Sequence, residues 1–348
     1  MIHIDGSYGE GGGQILRNAV SLSVLTKEPV EISNIRANRP NPGIKPQHYT
    51  AIKILKKISI AETDGLKIGS SHLIFSPGDI RGREYNFDIG TAGSIVLVFQ
   101  AYLLSLLKTR DVITLRLTGG TDVKWSPSWD YFIHVFLPLI QKMGISVNLK
   151  LIQRGYYPKG GGEAILTVKP SESIRPLLLD IKQNFSEVNG IIHLSNLPDH
   201  VGKRMKHAAI NTLIQKNLRA SIKIEKTTSF SAGTGITLWT KTNETVLGKT
   251  GLGEKGIIAE KIGESVANEM IKEIVSGATI DIHAFDQIIP YMALTEKKRS
   301  SCIVREISSH AQTNMWLVRQ FFGGQDIFSI ETKKGLKIIK VDGQLSIK

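Results

Sequence analysis

Residues 2–17 read Ile2-His3-Ile4-Asp5-Gly6-Ser7-Tyr8-Gly9-Glu10-Gly11-Gly12-Gly13-Gln14-Ile15-Leu16-Arg17. The alternation over Ile2–Asp5 predicts a strand, and the glycines of Gly6–Gly13 predict a turn. Apolar spacing across Gln14–Leu25 predicts a helix. Working outward, Pro29–Ile35 alternates as a strand and Gln47–Ile58 is amphipathic as a helix. Leu66–Phe75, with Gly69-Ser70-Ser71 at its bend, reads as a hairpin that closes the unit. The order is βαβαββ.

That order returns after about 85 residues, the mark of an internal repeat. Asn86–Ile89 is its strand, Gly90–Gly93 its turn and Ser94–Leu107 its helix. Asp111–Leu117 is the next strand and Ser128–Met143 the next helix. Ile145–Gln153 and Glu163–Val168 close it across Gly155–Gly162. A third copy is split. Ile174–Ile181 is its first strand, then Ala284–Leu294, Cys302–Ile307, His310–Phe322, Asp326–Glu331 and Leu336–Val341 follow. Between the pieces, 185–274 carries signals of its own at Gly190–Leu194, His200–Gln215, Ser221–Lys226, Ile236–Thr240 and Glu260–Ile274. The expected fold is therefore α/β (α+β). Residues 1–184 and 275–348 would form one body of three repeats, each a sheet packed by two helices. Those repeats span about 1–80, 86–169, and 173–184 joined to 275–348. Residues 185–274 would form a smaller inserted α/β domain.

The 348 residues are 41% apolar and 22% charged, which is ordinary for a globular chain and excludes a disordered one. The net charge of +13 favours polyanionic partners, although a solvated basic surface carries the same charge. The single cysteine, Cys302, excludes an intrachain disulfide and argues against a cysteine-based zinc site. Met1–Asp5 has neither the basic start nor the apolar stretch of a secretion signal, so a cytoplasmic location is expected. The near-apolar stretch Ile95–Leu107 is too short to span a bilayer and reads as a buried helix.

Several strings carry chemistry. In Gly9–Arg17 the glycines at a helix start offer N–H groups to a phosphate. Glu10 offers a carboxylate to a divalent cation, and Arg17 reaches phosphate oxygens one turn on. No Gly-Lys-Ser/Thr follows, so this is not a Walker A loop, and a ligand-free turn would look similar. Arg36-Ala37-Asn38-Arg39-Pro40-Asn41-Pro42-Gly43-Ile44-Lys45-Pro46-Gln47-His48 sets cations on a proline-stiffened loop entering a helix. Such a loop presents a phosphate-binding face or serves only as a connector. Gln100 lies in the second unit's apolar helix, as a ligand contact or a satisfied core group. Gly119-Gly120-Thr121-Asp122 precedes Trp125-Ser126-Pro127-Ser128-Trp129, where the indoles suit stacking on bases. Trp129, at a helix start, is expected in the core. Tyr156–Glu163 reads as a hairpin tip. Asp286 and Gln287 bind a ribose or metal, or cap a helix. Ser308-Ser309-His310 opens the third unit's second helix, and His48 stands at the matching point of the first.

Together these strings resemble the RNA 3′-terminal phosphate cyclase family, in its archaeal-type members. The similar stretches are Asp5–Arg17, Arg36–His48, Asp88–Ser94, Gly119–Asp122, Tyr157–Glu163, Asp286–Leu294 and His310–Asn314, in family order. The resemblance covers nearly the whole chain and is weakest over 185–274. It implies three βαβαββ units, like the C-terminal domain of a translation initiation factor, plus an inserted α/β domain. It implies ATP-dependent conversion of an RNA 3′-phosphate to a 2′,3′-cyclic phosphate, releasing AMP and pyrophosphate. On this resemblance His310 is the nucleophile that carries AMP, and Glu10 holds Mg²⁺ or Mn²⁺. Arg17, Arg36, Arg39, Gln47, His48, Gln100, Asp286 and Gln287 match nucleotide- and phosphate-contacting positions. Pro127 matches a position that stacks on adenine. The other stacking position, a tyrosine in bacterial members, is His283 here, whose ring stacks over less area. RNA and ATP are the implied partners, with no membrane and no obligate protein partner.

The chemistry agrees with such a reaction. A 3′-phosphate monoester lacks a leaving group, adenylylation supplies one, and the neighbouring 2′-hydroxyl then attacks at little further entropic cost. Three rivals share parts of the pattern: a non-catalytic cyclase-like protein of ribosome assembly, a plain RNA-binding module, and an enolpyruvyl-transferase-like enzyme. The first two need neither His310 nor Glu10. The last needs no nucleophilic histidine and no large insertion.

Overall fold

The computed structural model describes residues 1–296 and 298–344. The first sheet contains β1 (Ile2–Asp5), β2 (Val30–Ser33), β3 (Glu62–Asp64) and β4 (Leu73–Ser76), in the order β1-β2-β4-β3. Its helices are α1 (Gly13–Thr26) and α2 (Pro46–Ile58). Strands β1 and β2 run parallel, as a crossover through a helix demands, and β4 is antiparallel to both β2 and β3. The second sheet holds β5 (Glu84–Asp88), β6 (Ile113–Gly119), β7 (Val147–Gln153) and β8 (Gly162–Val168), with α3 (Ile95–Ser105) as its first helix. Its second helical stretch joins α4 (Trp129–Tyr131), a π-helical turn at Phe132–Phe136, and α5 (Leu137–Lys142). The order β5-β6-β8-β7 repeats that of the first sheet.

After β9 (Leu178–Leu179) comes a different unit. It contains β10 (Glu187–Ser195), α6 (Asp199–Ile214), β11 (Arg219–Thr227), β12 (Gly233–Lys241), β13 (Val246–Leu252) and α7 (Ala259–Ser276). Its sheet order is β11-β10-β12-β13. The chain then continues through α8 (Ile282–Ala293), β14 (Arg299–Val304), α9 (Ser309–Phe321), β15 (Phe328–Lys333) and β16 (Leu336–Asp342). These strands join β9 in a sheet ordered β9-β14-β16-β15, with β9 and β14 parallel. The mixed α/β class read from the sequence is the class observed.

Two stretches differ from expectation. The first unit's hairpin is not Leu66–Phe75 but β3 with β4. The backbone of 66–72 is engaged elsewhere, because Gly69 N–H donates to Ile44 O and Ile44 N–H donates to Ser70 O. The expected strand Ile174–Ile181 pairs only at Leu178 and Leu179. Pro176 has no N–H to give a ladder, and Leu177 N–H donates to the Ser300 hydroxyl instead.

Buried apolar side chains form two clusters. The larger draws on the first, second and β9–β16 sheets and their helices, with Trp129, Tyr102 and Phe285 among its largest members. The smaller gathers Val188, Ile192, Met205, Leu213, Ile236 and Met270 beneath the β10–β13 sheet. Helix α3, apolar on nearly every face, is buried except at half-buried Leu97 and Gln100 and packs on α1 and α2, as an all-round apolar helix must. Among the described residues no helix is long and apolar enough to cross a membrane.

Candidate functional site

Helices α1, α9 and α8 meet with their N-terminal ends close together, and three hydrogen bonds tie them to one another and to α3. Asn18 on α1 donates to the Asn314 side chain on α9 at 2.8 Å. Asn314 in turn donates to the backbone oxygen of Asp286 on α8 at 2.6 Å. Gln100 on α3 donates to the Gln287 side chain on α8. Asn314 is fully buried, so its bonds replace water that the core excludes. Sequence reading quoted Asn314 only as part of a string. Thr313 stands in the same string, whereas Asn18 gave no signal, since an amide at a helix contact shows its partner only in three dimensions.

The glycine-rich turn before α1 is wedged between the first and third units. Its Tyr8 ring stacks on Trp316 of α9, centroids 3.9 Å apart. Gly9 has φ +59°, and a Cβ there would meet Thr313 of α9 at 2.6 Å, so neither the backbone nor the space admits a side chain. Asn38 donates to Ser7 O at 2.8 Å and pins the cationic loop against the turn. Gly13 opens α1 against the His48 ring, and a Cβ on it would stand 2.0 Å from Nε2.

Glu10 is the hub of this region. Its Oε1 accepts from the Ser309 hydroxyl, and its Oε2 lies 3.0 Å from Arg39 Nη2 and 3.6 Å from His310 Nε2. The Ser309 bond first, then the charges of His310 and Arg39, hold the Glu10 carboxyl below the usual carboxylate range against partial burial. Ser308 is the N-cap of α9, its hydroxyl accepting from Ala311 N–H and donating to Asp286. His310 therefore stands in the first turn, its side chain about half exposed and facing the glutamate. Ser309 was quoted in the sequence string, but its bond to Glu10 was not foreseen.

His48 is buried at the N-terminus of α2. Burial first, then the charges of Arg17, Arg36 and Lys45, push its pKa down to about 3. Its Nδ1 accepts from Lys45 N–H at 3.4 Å, which leaves Nε2 to carry the proton of a neutral ring toward the glycine-rich turn. His48 is thus a fixed neutral donor rather than a cation. Burial likewise draws the Arg17 guanidinium down to about 10, still charged at neutral pH. Among the described residues that guanidinium has no hydrogen-bonding or ionic partner. Arg36 is spent differently: its Nη1 donates to Asn41 O and Gly43 O and staples its own loop.

The remaining expected residues lie on the adjoining edges. Gln47 Oε1 accepts from Ser94 N–H at 3.2 Å, tying α2 to the second unit's turn. Asp286 is buried, with His283 Nδ1 3.9 Å from its Oδ2. Pro127 and His283 sit on segments joined through Asp281, which accepts from Tyr131 Oη at 2.7 Å and caps α8. No hydrogen bond or ion pair connects either with Glu10 or His310 among the described residues. Trp129 is core, as expected, whereas Trp125 is almost fully exposed.

A second cluster of ionisable groups was not foreseen. Asp122, Asp130 and His193 lie close enough to hold a metal ion and are buried. Arg154 already fills the space, with Nη1 3.1 Å from Asp122 and Nη2 2.9 Å from Asp130. This guanidinium supplies the charge a cation would bring, and the cluster shares no contact with Glu10. Glu10 itself offers one carboxylate, and among the described residues it belongs to no group of three metal-ligating side chains. That donor set fits a cation completed by phosphate oxygens and water, as Mg²⁺ commonly is.

Comparison with known proteins agrees with this arrangement. A family model described as RNA 3′-terminal phosphate cyclase matches residues 8–326. A Pyrococcus furiosus protein named RNA 3′-terminal phosphate cyclase is 45% identical over 337 residues, covering 97% of each chain. Proteins of the same name from Methanosarcina mazei and Nitrosospira multiformis are 43% and 42% identical. The former alignment covers 98% of this chain and 100% of the relative, the latter 92% and 91%.

Proposed function

The chain belongs to the RNA 3′-terminal phosphate cyclase family of ligase-type enzymes, and we propose that it converts an RNA 3′-phosphate to a 2′,3′-cyclic phosphate at the expense of ATP. The observation that carries this reading is the meeting of Glu10, Arg39 and His310 from three separate segments, within 3.6 Å of the glutamate. A cyclase-like RNA-binding protein without catalysis has no use for that contact. The units are read as before: 1–184 with 275–348 as the catalytic body, 185–274 as the insertion. The separate apolar cluster under β10–β13 supports that division. A cytoplasmic location goes with it.

His310 Nε2, the nitrogen facing Glu10, attacks the α-phosphorus of ATP. A phosphorus–nitrogen bond forms, the bond to the bridging oxygen breaks, and pyrophosphate leaves. An oxygen of the RNA 3′-phosphate then attacks the same phosphorus, and the histidine departs as a neutral ring. The 2′-hydroxyl next attacks the RNA phosphorus, its proton passing to water, and expels AMP. Held beside its target, that hydroxyl needs little further ordering. Glu10 is the residue that would hold a divalent cation, which supplies neutralisation of phosphate charge. Arg17, without a partner among the described residues, and Arg39 bind phosphate oxygens, and Arg36 keeps the loop of Arg39 in shape. His48 donates a neutral hydrogen bond beside the glycine-rich turn. Gln47, Gln100, Asp286 and Gln287 orient the nucleotide, while Pro127 and His283 flank its base.

The test is incubation with α-labelled ATP and Mg²⁺ or Mn²⁺, followed by recovery of the protein. Label should appear on the chain, survive alkali and be lost in acid, as a histidine phosphoramidate behaves. It should vanish in His310→Asn and drop sharply in Glu10→Ala. Wild-type labelling of His310→Asn would move the nucleophile elsewhere.

A further inference from the structure

Four aromatic side chains in the described structure are exposed, and one of them, Tyr8, stacks on Trp316. The other three are Trp125, Tyr157 and Phe230, exposed by 95%, 78% and 64%. They come from three distant parts of the chain, yet their loops converge. The hairpin tip carrying Tyr157 packs on the second unit's turn, where a Cβ on Gly160 would lie 3.0 Å from Ala92 Cα. The loop carrying Trp125 packs there too, since a Cβ on Gly120 would lie 2.5 Å from Ala92 O. The Phe230 ring lies over Gly161 of the same hairpin tip, and Lys159 N–H donates to Ser231 Oγ at 3.2 Å.

That meeting point borders the candidate site. A Cβ on Gly93 would be 3.2 Å from Gln47 Cβ, and Gln47 directly precedes His48 on α2. Exposed Lys159 has no ion-pair partner among the described residues, while Lys124 beside Trp125 pairs with Glu254 at 2.6 Å. Exposed aromatic rings cost free energy in water, and a fixed array of them next to cations suits one kind of ligand well. Unstacked bases bind ring faces whatever their sequence, and the backbone between them binds ammonium groups. A protein partner would instead call for a continuous apolar patch, and these rings are carried on separate loops.

The geometry points to a platform for single-stranded RNA upstream of the reacting end, with Tyr157 and Phe230 as stacking faces and Lys159 as a backbone contact. This assignment rests on the function proposed above. It gives the insertion, which carries Phe230, a part in substrate binding.

The experiment compares two 3′-phosphorylated substrates, a dinucleotide and a single-stranded decamer, by cyclisation kinetics. The wild-type enzyme should show a lower KM for the decamer. Tyr157→Ala and Phe230→Ala should each raise the decamer KM by about 5- to 100-fold, the effect of losing one base stack. The dinucleotide KM and the ATP-dependent labelling should stay unchanged. Phe230→Trp, which keeps a ring over Gly161, should restore the decamer KM and guards against a folding defect. Wild-type decamer KM in both alanine variants would overturn the platform. So would losses of equal size on both substrates. If the wild-type enzyme cyclises neither substrate, the proposed reaction fails, which is a separate outcome.

Discussion

Ser309 adjoins His310 in sequence and bonds Glu10, the two residues on which the proposed reaction depends. Its hydroxyl bond to Glu10 is the largest influence keeping that carboxyl below its usual range. Removing the hydroxyl raises the Glu10 pKa, so in Ser309→Ala the carboxylate takes up its proton at a higher pH on acidification. The acid limb of ATP-dependent self-labelling is therefore expected to shift to higher pH, read from initial rates. An unmoved limb would mean that Glu10 ionisation does not set it. His48 gives a stability counterpart. Its folded pKa of about 3 lies below the ordinary 6.5, so its contribution is complete above pH 6.5 and is lost as pH falls toward 3. Over that window the loss is on the order of 4–5 kcal/mol for a group this deeply buried. His48→Asn should show a flatter acid stability curve in denaturant melts, whatever its absolute stability. Glu10 and His310 could be singled out because each stands in a conspicuous string. Their contact was not, since Glu10 and Ser309 are separated by 299 positions and no local pattern spans that distance.

Helices and strands with a plain period were readable almost to the residue. Expected Gln47–Ile58 is α2 at Pro46–Ile58, and expected His310–Phe322 is α9 at Ser309–Phe321. Strand β13 went unseen because Gly248 and Gly251 break its apolar pattern. The first of these glycines answers to packing, as a Cβ on it would stand 2.3 Å from Val135 on the π-helical turn. The Asp122–Asp130–Arg154 network was hidden for the same reason as the Glu10 contact: it joins the loop after β6, α4 and the end of β7. Burial pushes the Asp130 carboxyl up, while Arg154 beside it pulls the other way. Arg154→Met would strip the compensating charge and leave two buried carboxyls facing each other. A loss of about 3–5 kcal/mol in chemical denaturation is expected, the cost of breaking a buried pair from one side. A loss below about 1 kcal/mol would mean that proton uptake by the carboxyls replaces the guanidinium.

At the scale of the whole molecule, charge and site placement act together. The chain carries +13, and its candidate site is assembled from segments of the first and third units with a border supplied by the second. Of the Glu10 contacts, only those with Ser309 and His310 need the first and third units packed together. Binding of a 3′-phosphorylated single strand should therefore combine a general attraction with a few fixed contacts, and salt separates the two. Each fixed phosphate contact releases counterions and contributes a log–log slope of roughly −0.7 on a single strand. Arg39 lies in the site, 3.0 Å from Glu10, whereas Arg299 pairs with Asp342 on the third unit's sheet at 2.6 Å. Arg39→Gln and Arg299→Gln remove the same charge from the molecule as a whole. If fixed contacts dominate, Arg39→Gln lowers the slope of RNA affinity against salt by up to about 0.7, and Arg299→Gln leaves it unchanged. Equal shifts in both variants, measured by anisotropy titration over a salt series, would mean that net charge alone holds the RNA.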